Sequence, residues 1–248
     1  MAKISDSSWV ERDSLMNEIE RINGATFLEE VAQQAITLFY DLFIDSVVLA
    51  RLFITVPYGK LPPKNRSFVD TLAQSAKISH LITNTTPVLS LVGSRGEQAV
   101  WNDRRNSQGH VGIPMASGTF ISSIPMMSRL LKQLGVDLSW IDEWDTKIVE
   151  GKELTRFSGL FYVEEAETAL DRHGRKIIAA QDFVKTYNVQ TVFGTGGGYL
   201  RADTFVVLIV FTREKLSQSQ VEPFKTLINA FKIATIENGV EMKIFAAE

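Results

Sequence analysis

The sequence predicts an α+β fold, because its last third has the pattern of a β-hairpin followed by an amphipathic helix. Phe205–Phe211 is wholly apolar and too short to span a membrane, which indicates a strand. Thr191–Phe193 favours a second strand, and Gly194–Gly198 predicts a glycine turn between the two. Ser217 with Gln220 fits a capping box, and apolar residues then recur at helical spacing. We therefore expect an antiparallel β-layer backed by a helix.

Two more capping boxes predict helices near the start of the chain. Ser8 with Glu11 opens the first helix, whose narrow apolar face suits a partner helix. Thr26 with Glu29 opens the second, whose apolar face is wide enough to cover a sheet. These patterns divide the chain into an N-terminal helical arm, residues 1–24, and one domain, residues 25–248.

The middle of the chain alternates strand and helix patterns. Ser46–Ile54 predicts a strand and Phe68–Ser79 a short helix. Pro87–Val92 and Gln98–Trp101, joined by Gly93–Gly96, have the pattern of a hairpin.

Further along, proline and glycine mark the ends of the next helix. Pro125 is expected as the first helical residue, and Gly135 is placed to end that helix. Gly159–Val163 predicts a strand and Ala180–Tyr187 a short helix, while residues 137–153 form a polar connection.

Composition excludes several classes of function. The chain has 248 residues, 45% of them hydrophobic and 22% charged, with a formal net charge of −3. This balance gives no electrostatic footprint for nucleic acid or anionic lipid. Because there are no cysteines, disulfides, thiolate metal sites, cysteine nucleophiles and thioether-attached chromophores are excluded. The first residues lack the apolar core of a signal peptide, so we expect a cytoplasmic protein that does not enter membranes.

The order of these elements resembles the GAF family, which belongs to the GAF/PAS type of sensory domain. The resemblance is carried by the pattern around Tyr162-Val163, then Ala180–Val192, then Thr204–Phe211, and it covers roughly residues 25 to 236. It implies a central antiparallel sheet of five to six strands, with helices on one face and a ligand cavity on the other. Two departures from the family are an insertion at Val136–Leu160 and a long turn at Gly196–Gly198.

The resemblance also implies a sensory or regulatory role. Such domains bind cyclic nucleotides, tetrapyrroles, small metabolites or amino acids, and some bind only protein. A covalently attached bilin is excluded by the lack of cysteine, and we find no clean copy of the cyclic-nucleotide signature. The sequence therefore identifies no cofactor.

The polar run Trp101–His110 is the strongest candidate for a binding site. Guanidinium groups hold a carboxylate or phosphate in a two-point grip, and a pocket needs a few such donors on an apolar wall. The alternative is a solvated loop with arginines on its surface. The predicted ligand-binding residues are Phe53, Trp101, Arg104, Arg105, His110, Phe161, Phe193 and Tyr199.

Two other features favour structural explanations. The glycines at 194–198 lead into a strand and not a helix, so a flexible β-connection or a lid is favoured over a phosphate loop. His80, His110 and His173 show no metal-ligand spacing, although a single histidine, His110, could ligate haem.

We therefore predict a non-catalytic small-molecule sensor of a bacterial-type signalling system, either alone or as a fragment of a longer sensor. It would form a homodimer through its terminal helices and pass the signal to a partner protein. Two alternatives stay open. One is an enzyme that uses His110 as general acid–base beside Arg104, and the other is a structural dimerisation module without a ligand.

Overall fold

A six-stranded antiparallel sheet forms the centre of the protein. The computed structural model describes residues 2–107, 109–142, 158–199 and 204–246. The strand order is β3-β2-β1-β6-β5-β4, and every neighbouring pair is antiparallel. The strands are β1 Val47–Pro57, β2 Pro87–Gly96, β3 Gly112–Pro114, β4 Ser158–Val163, β5 Thr191–Gly198 and β6 Phe205–Thr212.

Helices cover this sheet, and the α+β class expected from the sequence is confirmed. In the part of the chain that the structure describes, the helix bounds are α1 Trp9–Glu20, α2 Leu28–Leu42, α3 Pro63–Ser75, α4 Gly118–Ser123, α5 Pro125–Gln133, α6 Ser139–Asp142, α7 Gln181–Thr186, α8 Gln218–Val221, α9 Leu227–Ala234 and α10 Ile236–Val240. None of these helices combines the length and apolar character that crossing a membrane requires.

Alternation along the strands divides the core into two layers. Leu208 of β6 points into a layer packed under α1, α2 and α9, which we call the helical face. The next residue, Ile209, points into a second layer that includes residues of α4, α5 and α7, which we call the cavity face. The long helices are on the helical face, as the resemblance implied, and shorter helices contribute to the cavity face.

The N-terminal segment packs onto the helical face. Ile4, Leu15 and Ile19 are all at most 3% exposed within that layer. The Ile4 backbone N–H also donates to Ser46 Oγ at 3.0 Å. The apolar stripe of α1 therefore meets α9 of its own chain.

Two of the three predicted capping boxes are present. Ser8 with Glu11 caps α1, and Ser217 with Gln220 caps α8. The third is wrong, because the carboxylate of Glu30 accepts from the backbone N–H groups at the start of α2. This leaves Glu29 free for a buried contact described below.

The predicted hairpin at residues 87–101 is also wrong. β2 runs without a turn from Pro87 to Gly96, and a 3-10 turn follows at Ala99–Trp101. A Cβ on Gly93 would lie 2.8 Å from the backbone of Ala32. The glycine thus permits α2 to pack directly against the strand, and does not bend the chain.

The predicted glycine turn at residues 194–198 lies inside β5, where every residue is buried. A Cβ on Gly194 would lie 2.5 Å from the carbonyl oxygen of Leu208 on the neighbouring strand. The glycines therefore allow close backbone approach within the sheet, and neither a flexible connection nor a lid is present at these residues.

The other elements match the sequence more closely. α5 begins at Pro125, as predicted, and Gly135 follows its end with φ of 88°. α3 begins earlier than expected, at Pro63, since proline is favoured at the first position of a helix. The predicted insertion and polar connection fall partly on residues 143–157, which lie outside the described residues.

Candidate functional site

A cavity of about 220 Å³ opens on the cavity face of the sheet. Its floor is built from alternate residues of the two central strands, which share a face because side chains alternate along a strand. Leu49, Arg51 and Phe53 come from β1, and Ile209 and Phe211 come from β6.

The roof of the cavity comes from α5 and from the segment that leads into α7. Pro125, Met126 and Met127, in the first turn of α5, line the cavity together with Ile177–Ala180 and Phe183. These groups are apolar, and methionine adapts well to irregular space. The cavity is therefore lined mainly by apolar side chains.

The far end of α5 is held against the sheet by two glycines. A Cβ on Gly159 of β4 would lie 2.3 Å from the carbonyl oxygen of Gln133, and a Cβ on Gly196 of β5 would lie 2.8 Å from Leu134. The backbone at the end of the helix therefore touches β4, and the side chain of Leu134 touches β5. The same helix covers the cavity at one end and packs against the glycines of β4 and β5 at the other.

An aromatic group closes one side of the cavity. Trp101 packs edge-on against Tyr187 at 4.8 Å and against Phe183 at 5.7 Å between ring centroids. Phe183 in turn meets Phe211 at 5.4 Å. Gly96 leaves room for the indole, since a Cβ there would lie 2.8 Å from Trp101 Cε3. Such edge-to-face contacts fix the orientation of the rings.

Arg51 is the main polar group of the cavity. Its Nη1 donates to the carbonyl oxygen of Gly109 at 3.0 Å and its Nη2 to Ser107 Oγ at 3.1 Å. Its Nε is shielded from solvent and has no hydrogen-bond partner. Burial lowers the pKa of Arg51 to about 10, so the side chain still carries its charge at neutral pH.

His110 lies at the rim of the same cavity. The residue as a whole is exposed, and its backbone is in the left-handed region with φ of 54°. Desolvation by the surrounding protein and, to a lesser extent, the charge of Arg51 lower the pKa of His110 below its ordinary 6.5. At neutral pH the imidazole is therefore an uncharged donor and acceptor beside a cation.

The antiparallel sheet, with its long helices on one face and a cavity on the other, has the arrangement that the sequence resemblance implied. The fold is GAF-like.

Two similar solved structures are GAF domains of cyanobacterial phytochromes. One is the phycoerythrobilin-bound GAF domain from a cyanobacterial phytochrome, with 11% identity and a TM-score of 0.47 over 93% of this chain and 97% of that chain. Another is the phycocyanobilin-bound GAF domain from a cyanobacterial phytochrome, with 9% identity and a TM-score of 0.45 over 93% of this chain and 96% of that chain. No protein-family model and no curated protein matches the sequence.

Three of the eight residues predicted from the sequence meet at this cavity. Phe53, Trp101 and His110 all line it. Phe161 belongs to the same core layer and is fully buried there, but it is not part of the cavity lining.

Phe193 and Tyr199 lie on the other side of the sheet, which corrects the predicted cavity wall. Both are buried in the helical face, where the hydroxyl groups of Tyr199 and Thr235 are 2.7 Å apart. On β5 it is Val192, one residue before Phe193, that points into the cavity-face layer. The sequence shows the alternation but not which set of residues faces the cavity.

Arg104 and Arg105 form a separate site around Glu29, which corrects their predicted place beside His110. Arg104 is 3% exposed and pairs through Nε with Glu29, which is 4% exposed. Arg105 Nη2 lies 2.9 Å from Glu29 Oε1. The guanidinium of Arg104 also stacks on Phe245, 4.6 Å from the ring centroid. The arginine beside His110 is Arg51.

Arg51 shares a strand face with Phe53 in the sequence pattern but is not among the eight predicted ligand-binding residues. It is the only charged residue within the strand sequence VVLARLFITVP, and a single charge inside an otherwise apolar strand is the signal that points to it. Glu29 was missed because its position suggested a helix cap.

A second cavity of about 330 Å³ lies between α5 and the turn near residue 173. It is rich in cationic side chains, and two of them already bond to protein groups: Arg175 to Asp171, and Arg129 to the carbonyl oxygen of Tyr162. This makes it a weaker ligand site than the cavity at Arg51.

Proposed function

We propose that this domain, residues 25–248 with the arm 1–24 packed on it, is a cytoplasmic, non-catalytic sensor of a small organic molecule. The observation that carries the proposal is the apolar cavity on the sheet, with a cation in its floor and a neutral imidazole at its rim. Mostly apolar pockets with a few convergent polar groups are the usual form of small-molecule sites.

The output would pass through the loop that connects β2 to β3. On one side, Ser107 and Gly109 of this loop accept hydrogen bonds from Arg51 in the cavity. On the other side, Arg104 of the same loop pairs with Glu29 at the start of α2. A ligand that changes the bonding of Arg51 would therefore act on the Glu29 site, in the manner of a signalling domain with a partner protein.

The C-terminal tail docks at the Glu29 site. The backbone N–H groups of Leu28 and Glu29 donate to the carbonyl oxygens of Lys243 and Ile244 at 2.9 and 3.0 Å. The backbone N–H of Ala246 donates to Glu29 Oε1 at 3.0 Å. A shift of Arg104 would thus reach the end of the chain, which supports terminal segments as the output.

The terminal helices also carry exposed apolar side chains, which supports a homodimer through them. Trp9 and Val10 on α1 are 68% and 66% exposed, and Ile233, Ile236 and Val240 follow helical spacing across α9 and α10. Light scattering of wild type and of Ile236→Glu tests this interface. Equal masses at all concentrations for both proteins would exclude it.

Cavity binding is tested with a variant that fills the mouth of the cavity. Ala179 lines the cavity and is exposed, so Ala179→Phe adds a ring there without disturbing the core. We expect a small-molecule panel, screened by thermal shift, to yield a ligand that raises the melting temperature of wild type by about 5–10 °C at one hundred times its Kd. Ala179→Phe should lose this shift.

The matched control is Ala76→Phe, which adds the same ring at an exposed site at the end of α3, outside the cavity. Mass spectrometry of whatever co-purifies with the wild type supplies candidate ligands for the panel. The proposal fails if the ligand shifts Ala179→Phe as much as wild type, or if catalytic turnover of the bound molecule is observed.

A further inference from the structure

We propose that the ligand of the cavity is an organic carboxylate with one negative charge and an apolar body, and that Arg51 holds its acid group. This inference rests on the proposed function, because it names the class of molecule that the cavity binds. It follows from three properties of the site: the surroundings of Arg51, the net charge of the polar groups, and the character of the walls.

Arg51 is a cation without a counter-charge in the described part of the chain. No carboxylate there lies within 4.0 Å of its guanidinium, whereas Arg104, Arg175 and Arg213 each pair with an acid. Its two hydrogen bonds go to neutral acceptors, a carbonyl and a hydroxyl oxygen. A half-buried cation in apolar surroundings is costly unless an anion joins it.

The charge of the polar end matches a monoanion. His110, the other polar side chain beside Arg51, has a lowered pKa and is neutral at pH 7. One positive charge therefore faces the ligand. A carboxylate neutralises it, whereas a phosphate monoester would bring close to two negative charges to a site with one cation. A planar guanidinium also matches the two oxygens of a carboxylate.

The rest of the cavity selects for hydrocarbon. Leu49, Phe53 and Ile209 form the floor around Arg51, and Met126 and Phe183 face them from the roof. A ligand whose body carried several hydroxyl or charged groups would leave those groups without partners there. Sugars and polar amino acids therefore fit the walls poorly, and aryl or alkyl acids fit them well.

Matched pairs of probes test the acid group without any mutation. We would compare 4-phenylbutyrate with 4-phenylbutyramide, and octanoate with octanamide, by calorimetry at pH 7.5. Hydrogen bonds to a charged group contribute about 1.5–3 kcal/mol, so we expect each acid to bind about 10- to 100-fold more tightly than its amide. Inorganic phosphate alone, which lacks the apolar body, should bind more weakly than either acid.

Variants then locate the acid group. Arg51→Met keeps an apolar chain of similar length and should abolish the preference for acid over amide. Arg51→Lys keeps the charge without the planar fork and should retain part of that preference. Arg21→Met removes an exposed arginine at the end of α1 and should leave the preference unchanged. Circular dichroism of each variant confirms that it is folded.

A spectroscopic measurement reports on Arg51 directly. In a ¹H–¹⁵N spectrum of the arginine Nε groups, the signal lost in Arg51→Lys identifies this residue. We expect that signal to move when 4-phenylbutyrate is added and to stay in place when 4-phenylbutyramide is added. This result does not depend on whether Arg51→Met is stable.

Each failure separates the two proposals. Equal affinity for acids and amides, or a preference that survives in Arg51→Met, overturns the carboxylate inference and leaves the cavity as a small-molecule site. If no acid or amide binds while another molecule does, the carboxylate inference alone falls. If nothing binds in any screen, both proposals fall.

Discussion

His110 combines a backbone conformation that histidine adopts rarely with a position at the mouth of the cavity. Its φ of 54° lies in the left-handed region, which costs a non-glycine residue about 1–3 kcal/mol and is often found at functional sites. Asparagine tolerates this conformation better. The conformation therefore lowers the stability of the folded protein at the mouth of the cavity.

We predict that His110→Asn changes how stability depends on pH. Because the pKa of His110 is lowered in the folded protein, protonation favours the unfolded chain. The stability from neutral His110 is complete above pH 6.5 and is lost as the pH falls through the folded pKa. Wild type should lose more unfolding free energy than His110→Asn between pH 7.5 and 5, by a small amount because the residue is exposed.

Urea denaturation at a series of pH values measures this difference. His173→Asn, which removes an exposed histidine outside the cavity at Arg51, is the matched control. Parallel pH profiles for wild type and His110→Asn would contradict the prediction.

For the pair formed by Glu29 and Arg104 we predict a larger effect on the free energy of unfolding. Both side chains are buried, and removing one partner leaves the other charged and buried. Glu29→Gln should therefore lower the free energy of unfolding by about 3–5 kcal/mol. Asp41→Asn breaks the exposed pair with Arg95 and should cost at most about 1 kcal/mol. Equal losses in urea denaturation would show that burial does not determine the effect.

Among single residues, Phe53, Trp101 and His110 could be predicted as parts of the site because aromatic and polar groups recur near one predicted strand and loop. Arg51 was visible in the sequence as a charge in an apolar strand. Its role was not, because the neutral partners Ser107 and Gly109 come from a loop more than fifty residues away. Long-range pairing of that kind leaves no local pattern.

At the scale of elements, the glycines of β2 and β5 show where local patterns mislead. Glycine clusters usually mark turns, and the sequence pattern predicts a turn at both clusters. In the structure they lie inside strands, because Gly93 meets the backbone of α2 and Gly194 meets the backbone of β6. Only contacts between elements distant in sequence distinguish these two uses of glycine.

We predict that Gly194→Ala destabilises the sheet. The new Cβ would lie 2.5 Å from the carbonyl oxygen of Leu208, so β5 and β6 would have to separate locally. Overpacking of this kind costs about 1–3 kcal/mol, more than the stabilisation that alanine gives by restricting the unfolded chain. Gly109→Ala, where a Cβ meets nothing within 4 Å, is the control for urea denaturation. Similar stabilities for the two variants would contradict the close approach.

At the scale of the whole molecule, the β2–β3 loop joins the cavity to the C-terminal tail. The α+β class and an antiparallel sheet with a cavity on one face could be predicted from periodicity and the resemblance, whereas the hairpin predicted at residues 87–101 and the glycine turn predicted at 194–198 were wrong. The sequence could not predict that residues of β1 and β6 form the cavity floor and that Phe193 and Tyr199 lie on the opposite face. Only the assembled sheet shows which face is covered by the long helices.

We predict that Phe245→Ala loosens the tail without emptying the cavity. The phenyl ring covers the Arg104 guanidinium, and a partly buried cation–π contact contributes about 1–2 kcal/mol. Amide hydrogen exchange at residues 243–246 should quicken about 5- to 30-fold, while a cavity ligand keeps its affinity. Addition of that ligand to wild type should change exchange at the same amides. Unchanged exchange in both experiments would exclude the tail as the output.

The two ends of α5 differ in their freedom. Gln133 and Leu134 rest on the glycines of β4 and β5, where any tilt of the helix meets strand backbone at once. Pro125 and Met126, at the other end, line the cavity that a ligand would fill. We therefore expect α5 to pivot about Leu134. Larger ligands would be accommodated by movement of the Pro125 end of the helix away from the sheet, without a change in the sheet itself.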